Sequence, residues 1–148
     1  MTGTTEDGIE IDREFAALPS AVFAAWTTAE AFARWFGGRD VQVPLDGLDF
    51  RAVAGRSWSA MMVLPDGATI DWAGEFLEVD PPSRLVMTLT DRPADGARAV
   101  LTVDLTPTDA GTRMRMTQQT PGFTADERAG VIAGWQTFLD VLAEIAQA

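Results

Sequence analysis

The apolar positions of this chain hold one period for a stretch and then switch to another, and the switches mark its elements. In residues 9–15, IEIDREF, Ile9, Ile11 and Phe15 fall on one face and Glu10, Asp12 and Glu14 on the other, the period of a half-buried strand. Pro19 then suits the first turn of a helix, where a missing N–H costs nothing. Val22, Phe23 and Trp26 follow at helical spacing. Thr28 is placed to cap a second short helix carrying Phe32, Trp35 and Phe36, which Gly37-Gly38 ends.

From 40 to 119 the pattern is strand and turn. Short strands are expected at 40–45, ended near Pro44, and more weakly at 48–54. RSWSAMMVL (56–64) alternates with Trp58, Ala60, Met62 and Leu64 on one face, Pro65-Asp66-Gly67 supplies a turn, and a strand runs over 68–79. In that strand the inward set Ile70, Trp72, Gly74, Phe76 gives way to Leu77 and Val79, a parity shift that predicts a bulge near 77–78. After Pro81-Pro82 come RLVMTLT (84–90), AVLTVDL (99–105) and TRMRMTQQ (112–119). Thr124 and Glu127 form a capping box, and Val131, Ile132, Trp135, Phe138, Leu139, Leu142 and Ile145 then recur at helical spacing over roughly 22 residues, about 33 Å of helix. Strands in meander order imply an antiparallel sheet, and a helix that long with one wide apolar stripe needs the whole sheet to lie on. The prediction is an α+β fold, with a tail over 1–8 expected to be disordered and a single domain over 9–148.

Composition narrows the chemistry. Among 148 residues there is no His, Cys, Tyr or Lys, and all 11 cations are Arg. Thiol, Ser-His and Schiff-base lysine mechanisms, and metal sites built on His or Cys, are thereby excluded, so side-chain acid–base work falls to Asp and Glu. The net charge of −11 argues against a nucleic-acid partner. Zero Cys excludes a disulfide-stapled fold. The polar, acidic start MTGTTEDGIE does not read as a signal peptide, and no uncharged apolar run approaches about 18 residues, so no membrane insertion and a cytoplasmic location are expected. Gly37-Gly38 and Gly55 match no phosphate-binding loop, and no cofactor is expected.

The order of elements and the stretches REFAALPSAVFAAWTTAEAFARWFG (13–37), AGRSWSAMMVLPDG (54–67), WAGEFLEVDPPSRLVMT (72–88), LTVDLTPTDAGTRMRM (101–116) and GWQTFLDVLAEI (134–145) carry a resemblance over nearly the whole chain. It resembles the helix-grip superfamily (START-like, SRPBCC), and within it the family named after the activator of the heat-shock-protein-ninety ATPase, in its small stand-alone bacterial form. One departure is visible: where the family often has Gly-Gly before the third strand, this chain has Ala54-Gly55. The resemblance implies a curved antiparallel sheet wrapped around the C-terminal helix, often with an apolar cavity between them. Relatives bind lipids, hormones or polyketides there, and a few are enzymes, so fold alone does not deliver function.

Parity places the candidate wall of such a cavity. Trp58, Met62, Trp72 and Phe76 face inward on the middle strands, Met87, Met114 and Met116 on the later ones, and Val131, Trp135 and Leu139 on the helix stripe. Met adapts to varied apolar guests, and Trp adds area with one N–H donor. Gly130 and Gly134 on that helix signal either close approach to a strand, the favoured reading, or room for a ligand. Arg13, at inward parity, reads as a residue snorkelling to water or as a polar anchor, with Gln118 as a second anchor candidate. Asp71, Glu75, Arg113 and Arg115 fall outward, with cross-strand ion pairs of modest value.

The expectation is a module binding a hydrophobic or aromatic small molecule between sheet and helix. A carboxylate-based cyclase or hydrolase is the alternative and is disfavoured, because parity turns the strand carboxylates outward. A protein-interaction or co-chaperone-like role is a second alternative, and a homodimer is compatible with the pattern.

Overall fold

The computed structural model describes residues 2–4 and 7–148. Seven strands, β1 (Gly3–Thr4), β2 (Gly8–Phe15), β3 (Ser57–Val63), β4 (Thr69–Asp80), β5 (Arg84–Leu89), β6 (Ala99–Thr108) and β7 (Gly111–Gln119), form one antiparallel sheet in the order β1-β2-β7-β6-β5-β4-β3. Helices α1 (Pro19–Thr27) and α2 (Ala29–Trp35) follow β2, and α3 (Ala125–Ala146) ends the chain.

The period-two segments form strands because their apolar faces meet one core. Ile9, Ile11, Phe15, Leu101, Val103, Leu105, Met114 and Met116 are all buried. On the opposite face Arg113 and Arg115 reach diagonally across the β2–β7 ladder to Asp12 and Glu10, as their outward parity predicts. The register between β4 and β5 shifts between Phe76 and Glu78, where the parity change predicts a bulge. Beside that shift Gly74 is obligatory for space: a Cβ there would lie 1.8 Å from the carbonyl oxygen of Thr88.

Other expectations are corrected. The expected strands at 40–45 and 48–54 reduce to single bridges, Gln42 to Val63 and Asp49 to Ser59. A 3-10 turn at Leu45–Gly47 separates them, and Pro44 has no N–H to continue a ladder. Within the expected tail, Gly3 and Thr4 pair with Glu10 and Ile9; Met1, Thr5 and Glu6 lie outside the described residues. Thr28 opens α2 through its extended backbone, without a side-chain cap.

The capping box of α3 forms as the sequence predicts: Glu127 N–H donates to Thr124 Oγ1 at 3.1 Å and Thr124 N–H to the Glu127 carboxylate at 2.9 Å. By length and composition α3 is long and apolar enough to cross a membrane, although charged residues such as Asp140 and Glu144 interrupt its apolar run. Here it packs on the sheet through Trp135, Leu139 and Leu142. Its polar edge is tied down by Arg13 to Asp140 (2.7 Å) and Arg39 to Glu144.

Beneath α3 the core is aromatic. Phe32 stacks on Phe50 with centroids 4.2 Å apart, Trp35 meets Trp26 edge-on at 4.8 Å, and Trp135 lies 5.9 Å from Trp26. These pairs join α1, α2 and α3 into one layer over the inner face of the sheet.

Candidate functional site

Packing between α3 and the sheet is not uniform along the helix. Its C-terminal half closes on the core through Leu139 and Leu142. Its N-terminal half presents Gly130 and Gly134, and a Cβ built at either meets no atom within 4 Å. The favoured account of these glycines, close approach to a strand, is therefore corrected: both face open space. Over Gly134 that space is a cavity of about 410 Å³.

Its apolar wall is built by Trp72 of β4, Phe36 at the end of α2, and Val131, Trp135 and Phe138 of α3. Phe36 meets Trp72 edge-on at 5.3 Å and Phe138 at 5.8 Å, and Trp135 meets Phe138 at 5.5 Å. Leu89 at the end of β5 and Ala99 at the start of β6 add to it. The rim comes from the β5–β6 connection, with Thr90, Asp91, Ala97 and Arg98, and from Gln119 at the end of β7 and the segment joining it to α3, with Thr120, Pro121 and Phe123.

Both rim segments are held by arginines. Arg98 donates to the carbonyls of Asp95 (2.6 Å), Ala97 (3.0 Å) and Pro93 (3.4 Å), closing its own loop. Arg128 on the first turns of α3 donates through Nε to Thr120 Oγ1 at 2.9 Å, and the Thr120 N–H donates to the carbonyl of Asp7 at 2.9 Å. Phe123 remains 41% exposed at the rim, a large apolar side chain at the edge of an apolar cavity.

The wall's polar groups are few. Trp135 donates its indole N–H to Gln118 Oε1 at 2.6 Å. The Trp72 indole N–H is buried without a partner, a desolvated donor that carries a cost of about 1–3 kcal/mol. Asp91 and Arg98 are the charged residues of the lining.

Four of the sequence-predicted residues, Trp72, Gln118, Val131 and Trp135, stand on this cavity. The others do not. Trp58 sits in the aromatic core and donates to the Thr88 carbonyl at 3.0 Å. Met62 packs where a Cβ on Gly37 would fall, 2.9 Å from its Cε. Phe76, Met87, Met114, Met116 and Leu139 are buried side chains of the same core. The physical reason is position along the sheet: inward parity is shared by every strand, but the cavity opens only beside Gly134 of α3.

Arg13 is also placed elsewhere. It neither runs free to water nor reaches the cavity: it donates to Gln136 Oε1 at 3.0 Å and pairs with Asp140, clamping β2 to α3. Gln118 is engaged with Trp135, not with Arg13. Asp71, Glu75 and Glu78 are exposed and stand apart from the lining. No group of three or more His, Cys, Asp or Glu among the described residues is arranged to hold a metal ion.

Sequence reasoning missed Phe36, Phe138 and the rim. Both phenylalanines lay on recognised helical stripes, but a stripe does not say which of its members faces a gap. The rim residues lie in irregular segments with no periodicity to read.

A curved antiparallel sheet closed over one long C-terminal helix, with two short helices beside it, is the helix-grip α+β architecture of the START-like proteins. Residues 16–147 match the model of the family described as activator of Hsp90 ATPase homolog 1-like protein, and the chain belongs to that family. No curated protein matches the chain. Among solved structures, a Staphylococcus epidermidis protein is similar at 24% identity and a TM-score of 0.83, over 99% of this chain and 93% of its own. A Chromobacterium violaceum protein is similar at 23% identity and 0.82, over 96% and 99%. The AHSA1 protein from Silicibacter pomeroyi is similar at 26% identity and 0.78, over 91% and 94%.

Proposed function

We propose that this protein binds a hydrophobic or aromatic small molecule in the cavity between the sheet and the N-terminal half of α3. The observation that carries the reading is the 410 Å³ of space walled by Phe36, Trp72, Trp135 and Phe138 and floored by the bare backbone of Gly134. That volume lies in the range of small-molecule sites, about 300–1,000 Å³, which are apolar with a few placed polar groups. Glycine in a helix interior costs about 1 kcal/mol against alanine. Gly134 is not needed for packing, so a guest occupying the space is the reading that gives it a use. The absence of His, Cys, Tyr and Lys takes nothing from such a binder.

Native mass spectrometry of freshly purified protein tests this. The reading expects an adduct of a few hundred daltons, released on denaturation and diminished in Gly134→Trp. Protein that carries no adduct and takes up none from a panel of naphthalene- and steroid-sized compounds would overturn it.

A further inference from the structure

The polar groups of the cavity wall specify which kind of apolar guest fits. An indole N–H can donate but never accept. The 2.6 Å bond from Trp135 Nε1 to Gln118 therefore fixes the carboxamide, with its oxygen toward Trp135 and its Nε2 hydrogens directed away. Those hydrogens find no acceptor among the described residues, and Nε2 is not among the sealed, unpartnered atoms of the interior. Gln118 thus presents a fixed, unmet donor on the wall of an apolar cavity. Trp72 lines the same wall with its ring, while its indole N–H is sealed from the cavity and has no partner. The open, unmet group of the apolar wall is the Gln118 donor, so a guest seated against it carries an acceptor.

The charge of that acceptor is also constrained. The donor is a neutral amide. Arg98, the one cation of the lining, turns three of its five N–H donors to backbone carbonyls of its own loop. Asp91 stands on the same rim, and the chain carries a net charge of −11, so the field at the entrance disfavours an anion.

We infer that the guest is an uncharged ring compound bearing a carbonyl oxygen, a ketone, lactone or amide on an aromatic or alicyclic frame, which accepts a hydrogen bond from Gln118 Nε2. This rests on the binding function proposed above and narrows it to a chemical class.

Three probes of nearly one shape separate the possibilities: 2-acetylnaphthalene, its hydrocarbon isostere 2-isopropenylnaphthalene, and the anion 2-naphthoate. Each is titrated against the wild-type protein and against Gln118→Glu. That variant keeps an oxygen for Trp135 and replaces the donor by an acceptor. The expected result is a loss of about tenfold in ketone affinity in the variant, the range of one hydrogen bond, with hydrocarbon affinity unchanged within twofold. The naphthoate binds the wild type at least tenfold more weakly than the ketone. In the wild-type complex the ketone C=O stretch moves to lower frequency than in hexane, a readout independent of whether the variant folds. Equal loss of ketone and hydrocarbon, an unshifted C=O stretch, or naphthoate binding more tightly than the ketone would overturn the inference while leaving cavity binding standing. Failure of all three probes to bind would remove both.

Discussion

Trp135 of α3 and Gln118 of β7 are joined by an indole N–H to amide oxygen bond of 2.6 Å, and both residues stand on the cavity wall. One contact therefore ties the long helix to the sheet and orients the wall's amide. Trp135→Phe keeps much of the ring area and removes the donor. It should lower the unfolding free energy by about 1–2 kcal/mol, the cost of one hydrogen bond with part of its apolar area. Urea denaturation measures this; an unchanged midpoint would show the bond to be of no account.

The two helix glycines give a prediction of opposite sign. Because a Cβ at Gly130 or Gly134 meets nothing within 4 Å, alanine at either position should gain helix propensity without a clash. Gly130→Ala and Gly134→Ala should each stabilise by roughly 0.5–1 kcal/mol. A fall in stability for either would mean that the helix lies closer to its surroundings than described.

The ion pair between Arg39 and Glu144 sets a pH dependence. The hydrogen bond from Arg39 and its charge hold the Glu144 carboxyl below its ordinary value, and the same pair raises Arg39. A carboxyl whose folded pKa is depressed binds more protons when unfolded. Its contribution is therefore complete above the unfolded value, near 4.3, and is lost as pH falls through the folded one. Glu144→Gln should flatten the acid limb of the stability profile below about pH 5 and leave its slope at neutral pH unaltered. Identical acid limbs in the two proteins would show the pair to be uncoupled from folding. The pair is solvent-exposed, so the difference should be small and reduced by salt.

The fold was legible in the sequence to the extent that burial follows period. Ile9, Ile11 and Phe15, the Met114 and Met116 pair, and the stripe of α3 all sit where their spacing puts them, because one core covers one face of each element. The bulge at Phe76–Glu78 and the capping box were legible for the same local reason. Residues 40–54 were not: the chain there makes single bridges around a 3-10 turn, geometry set by what it packs on and not by its own pattern. The site was legible only in part. Parity found the inward residue Trp72 but could not separate it from Met87, Met114 or Met116, which were also assigned inward and are buried in the core. What distinguishes the cavity set is the absence of a side chain at Gly134, and the sequence reading assigned both helix glycines to close packing. Arg13 shows the same limit: its parity was correct, but its partners Gln136 and Asp140 are more than a hundred residues away.

The central claim is that the space over Gly134 receives an apolar guest, and calorimetric titration of 2-acetylnaphthalene into the wild-type protein and into Gly134→Trp tests it most directly. For a ligand of this size a single site with a Kd of about 10–100 μM is expected. In Gly134→Trp, whose indole fills the cavity, binding should fall at least tenfold while the folded state, followed by circular dichroism, persists. Equal binding by the two proteins, or no binding by the wild type, would contradict the account.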